Sequence, residues 1–206
     1  MATDFRPYGE EGLLVELPGT GEVMRMMAAL SGHRISGVID LVPAARTILA
    51  VFDPAVVDRS SIERWIKSAE PVAVAPPPGR LVVVDVVYEG ADLDEVAALT
   101  GLSVAEVVRR HSGGRYRAAF CGFAPGFAYL AGLDPALQVP RRATPRTRVP
   151  AGAVAIAGEF TGVYPRVMPG GWQIVGHTTA TLWDLRRDPP ALLPPLTEVQ
   201  FRPVPR

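Results

Sequence analysis

A run of three consecutive prolines constrains this chain more than any other feature, because it interrupts every regular secondary structure. The run lies in PVAVAPPPGR, residues 71–80. Proline cannot donate a backbone hydrogen bond and favours an extended conformation, so the segment is interpreted as a linker. A length of 206 residues allows one large domain or two small ones. The linker therefore predicts two domains, covering residues 1–75 and 80–206.

Before the linker, apolar periodicity predicts a small domain of mixed secondary structure. Strands are expected at 12–17, 35–42 and 46–53, and helices at 22–30 and 60–70. A serine is the expected cap of the second helix. The order βαββα predicts a two-layer α+β domain in which the helices pack on one sheet.

After the linker, short strands separated by glycine and proline predict a β-barrel or a sandwich. The first strand is expected at 80–88, and two short helices follow within 93–111. The remainder contains few helical signals. Its segments with strand character are YRAAFCGF, GAVAIAG, WQIVGH and EVQFRPV. The fold class predicted for the whole chain is α+β.

The helix pair at 93–111 matches a helix-turn-helix pattern, with Gly101 at the turn and Ser103 and Glu106 as a capping-box pair. A DNA reader needs phosphate contacts and base-reading side chains on its second helix. Here acidic residues load the first helix, and the formal net charge of the chain is zero. We therefore favour an αα-hairpin over a DNA-binding regulator. The apolar residues expected to pack on the barrel are Val96, Leu99, Leu102, Val104 and Val107.

Four arginines fall within eight positions, in a stretch from Asp134 to Glu159 that contains no other acidic residue. Prolines punctuate the run and stiffen it, and a rigid fork of donors suits a carboxylate or a phosphate. Contact with a small anion, contact with another subunit and a purely structural network all remain open. Arg146 is the favoured substrate-side residue, because Pro145 restrains its approach. The four arginines are Arg141, Arg142, Arg146 and Arg148.

Two turns rich in glycine precede or contain large aromatic rings. Gly126 permits backbone conformations that are closed to other residues, and the rings beside it supply apolar surface. A glycine pair repeats the arrangement before Trp172. Pocket wall and barrel core are both open interpretations of these aromatics. The residues singled out are Pro125, Gly126, Phe127, Tyr129, Gly170, Gly171 and Trp172.

Conventional catalytic motifs are missing from the sequence. There is no G-x-S-x-G elbow and no G-x-x-x-x-G-K-[ST] phosphate loop. The three histidines are widely spaced, so no metal site is expected. Cys121 lies in an apolar strand and is predicted to be an inert buried thiol. The chain therefore has no recognisable nucleophile or nucleotide-binding motif of its own.

The sequence also predicts a cytoplasmic protein. The first twelve residues contain acids and no apolar signal core, and the strongest apolar stretch, 81–87, is far too short to span a bilayer. A lone cysteine excludes an internal disulfide.

The segment 120–184 carries the patterns PGF-x-YL-x-GL, PRR-x-x-PR-x-x-VP, TG-x-YP and PGGW. With these patterns the chain resembles the family of the B-type subunit of 5-oxoprolinase. That family also includes allophanate hydrolase subunit 1, the matching segment of urea carboxylase and an inhibitor of a sporulation histidine kinase. The resemblance implies a small α+β domain followed by a cyclophilin-like, carboxyltransferase-like barrel. It also implies a similar second barrel beside this one, supplied by another subunit or a fused segment.

The resemblance implies a subunit of an ATP-dependent amide or lactam hydrolase, with conversion of 5-oxo-L-proline to L-glutamate as the leading activity. The implied partners are a carboxyltransferase-like second subunit of the C type, a third subunit and a small carboxylate substrate, without nucleic acid or membrane. ATP serves the complex, and the chain alone is expected to be inactive. An allophanate hydrolase or urea carboxylase type of subunit, and a regulatory inhibitor of a histidine kinase, are the alternatives.

The chain departs from the family pattern at two places. Where relatives read YGGE-x-GPDL, residues 88–93 read Tyr-Glu-Gly-Ala-Asp-Leu, and where they read GRT, residues 176–178 read Gly-His-Thr. Both changes are expected to alter a substrate loop, which adds His177 to the candidate site.

Overall fold

The computed structural model of the chain describes residues 4–70 and 81–206. Contacts between residues divide the chain into two compact units, Met1–Pro76 and Pro77–Arg206. The segment interpreted as a linker, 71–80, lies outside the described residues. In neither described range is there a helix long and apolar enough to traverse a lipid bilayer.

The first unit is a four-stranded antiparallel sheet with two helices, and its strand order is β1-β2-β4-β3. Alternation along the strands turns Leu13 and Val15 of β2, and Ile48 and Phe52 of β4, into one core with the apolar sides of the helices. This is the expected two-layer arrangement. The elements are β1 (Asp4–Pro7), β2 (Gly12–Glu16), α1 (Thr20–Gly32), β3 (Val38–Pro43), β4 (Thr47–Phe52) and α2 (Arg59–Ser68).

Two details of this unit differ from the prediction. Strand β1 was not predicted, because DFRP has two charged residues and a proline. It exists through pairing with β2, with Phe5 opposite Val15. The predicted serine cap of α2 is wrong. The cap is Asp58, whose carboxylate accepts the Ser61 N–H at 2.7 Å.

The second unit contains a seven-stranded sheet that curls into a nearly closed barrel. Its strand order is β12-β9-β10-β7-β6-β13-β5. Strands β8 and β11 form a separate two-stranded ribbon. The elements are β5 (Leu81–Val86), α3 (Leu93–Thr100), α4 (Val104–Gly113), β6 (Tyr116–Cys121), β7 (Ala128–Ala131), a 3-10 turn (Pro135–Leu137), β8 (Arg146–Val149), β9 (Ala153–Ala157), β10 (Phe160–Val163), β11 (Met168–Gly170), β12 (Gln173–His177) and β13 (Glu198–Pro203).

The two end strands of this sheet meet through a backbone bridge. Val87, just after β5, exchanges both hydrogen bonds with His177 at the end of β12, each at 2.9 Å. The bridge joins the two ends of the sheet order, so the predicted α+β architecture with a barrel is confirmed.

Strand β9 is buried along its whole length, because apolar clusters cover both of its faces. Val154 and Ile156 point into the barrel interior. The alternate residues Ala153, Ala155 and Ala157 point outward under a layer of aromatic rings. A strand covered on both faces reads as a continuous apolar run, which explains the segment GAVAIAG. This outer aromatic layer carries the candidate site.

The barrel interior also contains a buried histidine with both ring nitrogens satisfied. His111 Nε2 lies 2.9 Å from the Thr161 hydroxyl, and Nδ1 lies 2.7 Å from the Tyr88 hydroxyl. Thr161 donates its own hydrogen to the Ala155 carbonyl, so it accepts from Nε2–H and Tyr88 donates to Nδ1. Burial lowers the pKa of His111 to about 3, so the ring is neutral near pH 7.

The helix pair packs on the barrel with part of its apolar surface. Val96 and Val107 are fully buried, and Leu102 is partly buried against the interior cluster. Leu99 is 51% exposed and Val104 36% exposed, so the expectation that all five residues pack is wrong for these two. Leu99 lies off the buried face of a short helix, and Val104 begins α4 at its first turn.

Candidate active site

A cleft of about 270 Å³ opens on the outer aromatic layer. Sequence-predicted residues form much of its lining, with the glycine pair at one side and an arginine at another. These residues are Phe127, Tyr129, Arg141, Gly170, Gly171 and Trp172. The structure therefore brings together three segments that are separate in the chain, 127–129, 141 and 170–172.

The walls of the cleft are rings held edge to face. Phe127 lies at the centre, with centroid distances of 5.4 Å to Trp172, 5.3 Å to Tyr164 and 5.2 Å to Tyr129. Edge-to-face pairs at such distances are attractive and fix the rings relative to one another. Phe127 and Trp172 are 1% and 5% exposed. The rings are thus pocket wall and core at once.

The turn from β6 to β7 places this central ring. Gly126 has φ +83°, and a Cβ there would lie 2.9 Å from the Trp183 Cβ, so glycine is required for both conformation and space. Phe123 adopts φ 69° without being glycine and is 60% exposed at the rim of the cleft. Pro125 is exposed in the same turn and does not line the cleft.

The glycine pair has a second steric reason. A Cβ on Gly170 would lie 2.3 Å from the Tyr164 hydroxyl, whereas one on Gly171 would make only ordinary contacts with Pro145. Glycine at position 170 therefore lets Tyr164 reach the cleft. Burial raises the pKa of Tyr164 and outweighs the opposing effects of a Trp172 backbone hydrogen bond and the Arg141 charge. Tyr164 is thus a neutral hydroxyl that lines the cleft.

Two of the four arginines meet at one buried carboxylate. Asp92, 2% exposed, accepts Arg146 through both terminal nitrogens at 2.7 Å and Arg142 at 2.5 Å. It also accepts the backbone N–H of Ile174 at 2.7 Å. Arg146, the favoured substrate-side residue, is therefore engaged with a carboxylate of its own chain.

The ionised form of Asp92 is favoured by these contacts. Burial alone raises its pKa, but the hydrogen bonds from Arg146 and Ile174 and the charges of Arg146 and Arg142 outweigh burial and lower it. Arg142 also donates to the half-exposed Glu95 at 3.1 Å. The two guanidinium charges are thus balanced by two carboxylates.

The other two arginines are exposed. Arg141 lies on the cleft, and within 4–70 and 81–206 no carboxylate forms an ion pair with it. Arg148 lies on β8, outside the cleft lining. Of the four sequence-predicted arginines, Arg141 is therefore the one placed to receive an anion.

His177 and Cys121 lie apart from this chemistry. The His177 side chain is exposed, and its backbone serves the barrel bridge. Cys121 Sγ lies 3.4 Å from the Leu193 carbonyl, and burial raises the pKa of the thiol. Raised pKa and burial make it a poor nucleophile. The described part of the chain contains no group of three or more side chains suited to hold a metal ion.

Sequence reasoning missed four residues of the cleft and the carboxylate behind it. Pro145 and Pro169 were read as stiffening or motif residues, Phe123 was not singled out, and Tyr164 was quoted only within TG-x-YP. The signal for Asp92 was indirect: an arginine run without nearby acids needs counter-charges from elsewhere in the chain. The missed lining residues are Phe123, Pro145, Tyr164 and Pro169.

Comparison with known proteins supports the resemblance. Residues 3–193 match the family described as carboxyltransferase domain, subdomain C and D. The chain belongs to this family. It is 44% identical over 203 residues to the B subunit of 5-oxoprolinase from Escherichia coli O157:H7, covering 95% of this chain and 93% of that protein.

Solved structures share the fold. The crystal structure of TTHA0988 matches with a TM-score of 0.80 at 35% identity over 95% of this chain. This chain spans only 40% of that one. Urea carboxylase of Kluyveromyces lactis matches 98% of this chain, and 22% of its own, with a TM-score of 0.74. At 19% identity that likeness concerns the fold alone.

Proposed function

We propose that this chain is the B-type subunit of an ATP-dependent 5-oxoprolinase, which opens the lactam of 5-oxo-L-proline to give L-glutamate. The observation that carries the proposal is the 44% identity, across 95% of the chain, to the B subunit of the Escherichia coli 5-oxoprolinase. The complex is proposed to act in the cytoplasm.

The chemistry of the cleft suits such a substrate. 5-Oxo-L-proline is a small ring with one carboxylate, and the cleft offers aromatic walls beside the exposed guanidinium of Arg141. Arginine binds a carboxylate through a planar pair of donors. The neutral Tyr164 hydroxyl supplies a further hydrogen-bond donor or acceptor within the same cleft.

The cleft is proposed to be one half of a shared site. Its rim residues Phe123 and Arg141 are exposed, so the cleft is open to solvent. An ATP-activated intermediate needs protection from bulk water until it reacts with its intended partner. A carboxyltransferase-like subunit of the C type is the proposed cover. The larger size of TTHA0988, of which this chain spans 40%, supports a neighbouring segment in relatives.

ATP is assigned to the complex and not to this chain. The sequence has no phosphate loop and a single lysine, Lys67, which lies in α2 of the first unit. Activation of the lactam is therefore proposed to depend on the partner subunits, while this chain binds and orients the substrate carboxylate.

The test is reconstitution. The chain is co-expressed with its C-type and A-type partners, and formation of L-glutamate from 5-oxo-L-proline is measured with and without ATP. We expect ATP-dependent turnover by the complex and none by the isolated chain. Turnover by the isolated chain would contradict the shared site, and no turnover by the assembled complex would contradict the substrate.

One pair of variants tests the proposed anion contact. Arg141→Ala is expected to lower kcat/KM about 10- to 100-fold, because a charge-assisted bond to the substrate carboxylate is lost. Arg148→Ala, at an exposed arginine of the neighbouring strand β8, is the matched control and should leave kcat/KM unchanged. Equal effects from the two variants would remove the assignment of Arg141.

A subunit of the allophanate hydrolase or urea carboxylase type is the second candidate. The structural likeness to urea carboxylase agrees with this candidate. It is tested by measuring turnover of urea and of allophanate, beside 5-oxo-L-proline, with the same reconstituted complex. Inhibition of a histidine kinase rests on the family resemblance alone.

A further inference from the structure

We propose that Asp92 is a positioning residue of the cleft: its carboxylate holds two separate wall segments, 141–146 and 171–174, in the arrangement that directs Arg141 toward a bound carboxylate. The inference rests on the proposed function for the identity of that ligand. The positioning itself rests on contacts within this chain.

Asp92 uses both carboxylate oxygens fully. Oδ1 accepts Arg142 at 2.5 Å and Arg146 at 2.7 Å. Oδ2 accepts Arg146 at 2.7 Å and the Ile174 N–H at 2.7 Å. Four charge-assisted donors converge on one buried group, and the fork of Arg146 allows only one orientation.

Every donor lies within two positions of a cleft residue in the chain. Arg142 follows Arg141, and its own backbone N–H donates to the Gly171 carbonyl at 2.7 Å. Arg146 follows Pro145. Ile174 lies two positions after Trp172, and its amide ties the start of β12 to the same carboxylate. The wall segments thus converge on Asp92.

The local structure indicates that Asp92 serves the arginines and Ile174 and does not cap helix α3. Asp92 is the residue before α3, where an aspartate normally accepts N–H groups of the first turn. Its side chain makes no such bond. The carboxylate instead turns away from the helix to the arginines and Ile174. With Arg142 and Arg146 26% exposed, water competes little for the contact.

The electrostatic consequence concerns Arg141. If Arg142 and Arg146 lacked Asp92, two more guanidinium groups beside the cleft would be available to bind the substrate in the wrong place. Asp92 engages both of them, with Glu95 as the second carboxylate, and leaves Arg141 as the selective anion contact. Loss of Asp92 is therefore expected to affect substrate binding more than the chemical step.

The first measurement uses the isolated chain and needs no substrate. Amide hydrogen exchange is compared between the wild type and Asp92→Asn. The Ile174 and Arg142 amides are expected to exchange at least about tenfold faster in the variant, while β9 amides stay protected. Unchanged exchange at both reporter amides would overturn the proposal.

The second measurement uses the reconstituted complex. Asp92→Asn is expected to raise KM for 5-oxo-L-proline about tenfold or more with kcat changed less than about threefold, because misplacement of the binding group costs affinity. Val199→Ala creates a cavity at a buried position of β13 in the barrel interior. It is the control for destabilisation alone and should not change KM. An equal change of KM in both variants would overturn the proposal.

A second variant covers failure of Asp92→Asn to fold. Arg146→Lys keeps the charge and loses the two-pronged contact, so it should also raise KM, whereas Arg148→Lys should not. A normal KM for Arg146→Lys would overturn the proposal. If the wild-type complex has no 5-oxo-L-proline turnover, the proposed function fails, and the exchange experiment, made with either variant, decides the positioning role by itself.

Discussion

The two sides of the barrel wall bury polar groups in opposite ways. Inside, His111 is held neutral between Tyr88 and Thr161. Outside, behind the cleft, Asp92 is held charged between Arg142 and Arg146. The pKa of each group is lowered, His111 by burial and Asp92 because its partners outweigh burial. The comparison teaches that, in the described part of the second unit, the buried polar group inside the barrel is neutral, whereas the one behind the proposed substrate cleft is charged and paired.

The largest effect on stability is expected for Trp172, whose ring belongs both to the cleft wall and to the outer aromatic layer. Trp172→Ala should lower the free energy of unfolding by roughly 3–5 kcal/mol, because a buried indole leaves a cavity among Phe127 and Tyr129. Urea denaturation measures it, and Trp183→Ala, at a ring 40% exposed, is the control. Equal stability losses in the two variants would show that the outer layer is not a packed core.

The next largest loss of stability is expected when the ion-pair cluster of Asp92, Arg142 and Arg146 is broken. Asp92→Ala leaves two arginines and a backbone amide without their acceptor and should cost roughly 3–5 kcal/mol in urea denaturation. Asp85→Ala removes the exposed partner of Arg202 and should change stability far less. If the two aspartates proved equivalent, the contrast between a buried and an exposed ion pair would be lost.

The buried neutral ring of His111 predicts that the free energy of unfolding depends on pH. The unfolded chain protonates His111 below about pH 6.5, while the folded chain resists until about pH 3. Stability should therefore fall as pH falls, by about 2 kcal/mol between pH 6.5 and 5. Unfolding free energies across this range should lose most of that slope in His111→Gln. The exposed His177→Gln is the control and should keep the wild-type slope.

The smallest effect on stability is expected at the exposed arginines. Arg141→Ala and Arg148→Ala should each stay within about 0.5 kcal/mol of the wild type, because neither side chain is buried. Thermal melting checks this directly. A large loss in Arg141→Ala would mean that its charge supports the fold, and the assignment of Arg141 to substrate would weaken.

Local pattern was sufficient for much of the fold. Short strands between glycine and proline turns predicted a barrel or a sandwich, and the family resemblance implied the barrel. Helical spacing predicted α1 and α2 of the first unit. It failed where tertiary pairing creates structure. Strand β1 has one apolar residue, Phe5, and exists because β2 offers an edge. The cap of α2 was assigned about two residues too late, a usual uncertainty at helix ends.

The candidate site was predictable as a set of residues and not as an arrangement. Glycine beside large rings singled out Phe127 and Trp172 in two separate turns, and the structure places the two ring centroids 5.4 Å apart. The arginine run gave no means to separate Arg141 from Arg146, since their difference depends on Asp92, which is distant in the chain. Nor could Asp92 be distinguished from Asp94, because acids are ordinary at the start of a helix.

The backbone bridge between Val87 and His177 has a consequence for how relatives diverge. The bridge requires a glycine before it, because a Cβ on Gly176 would lie 2.7 Å from the Val87 carbonyl. It places no demand on the side chain at 177, which is exposed. Evolution can therefore exchange the arginine of GRT for histidine at no cost to barrel closure, so this position is free to acquire new surface chemistry while its neighbour is not.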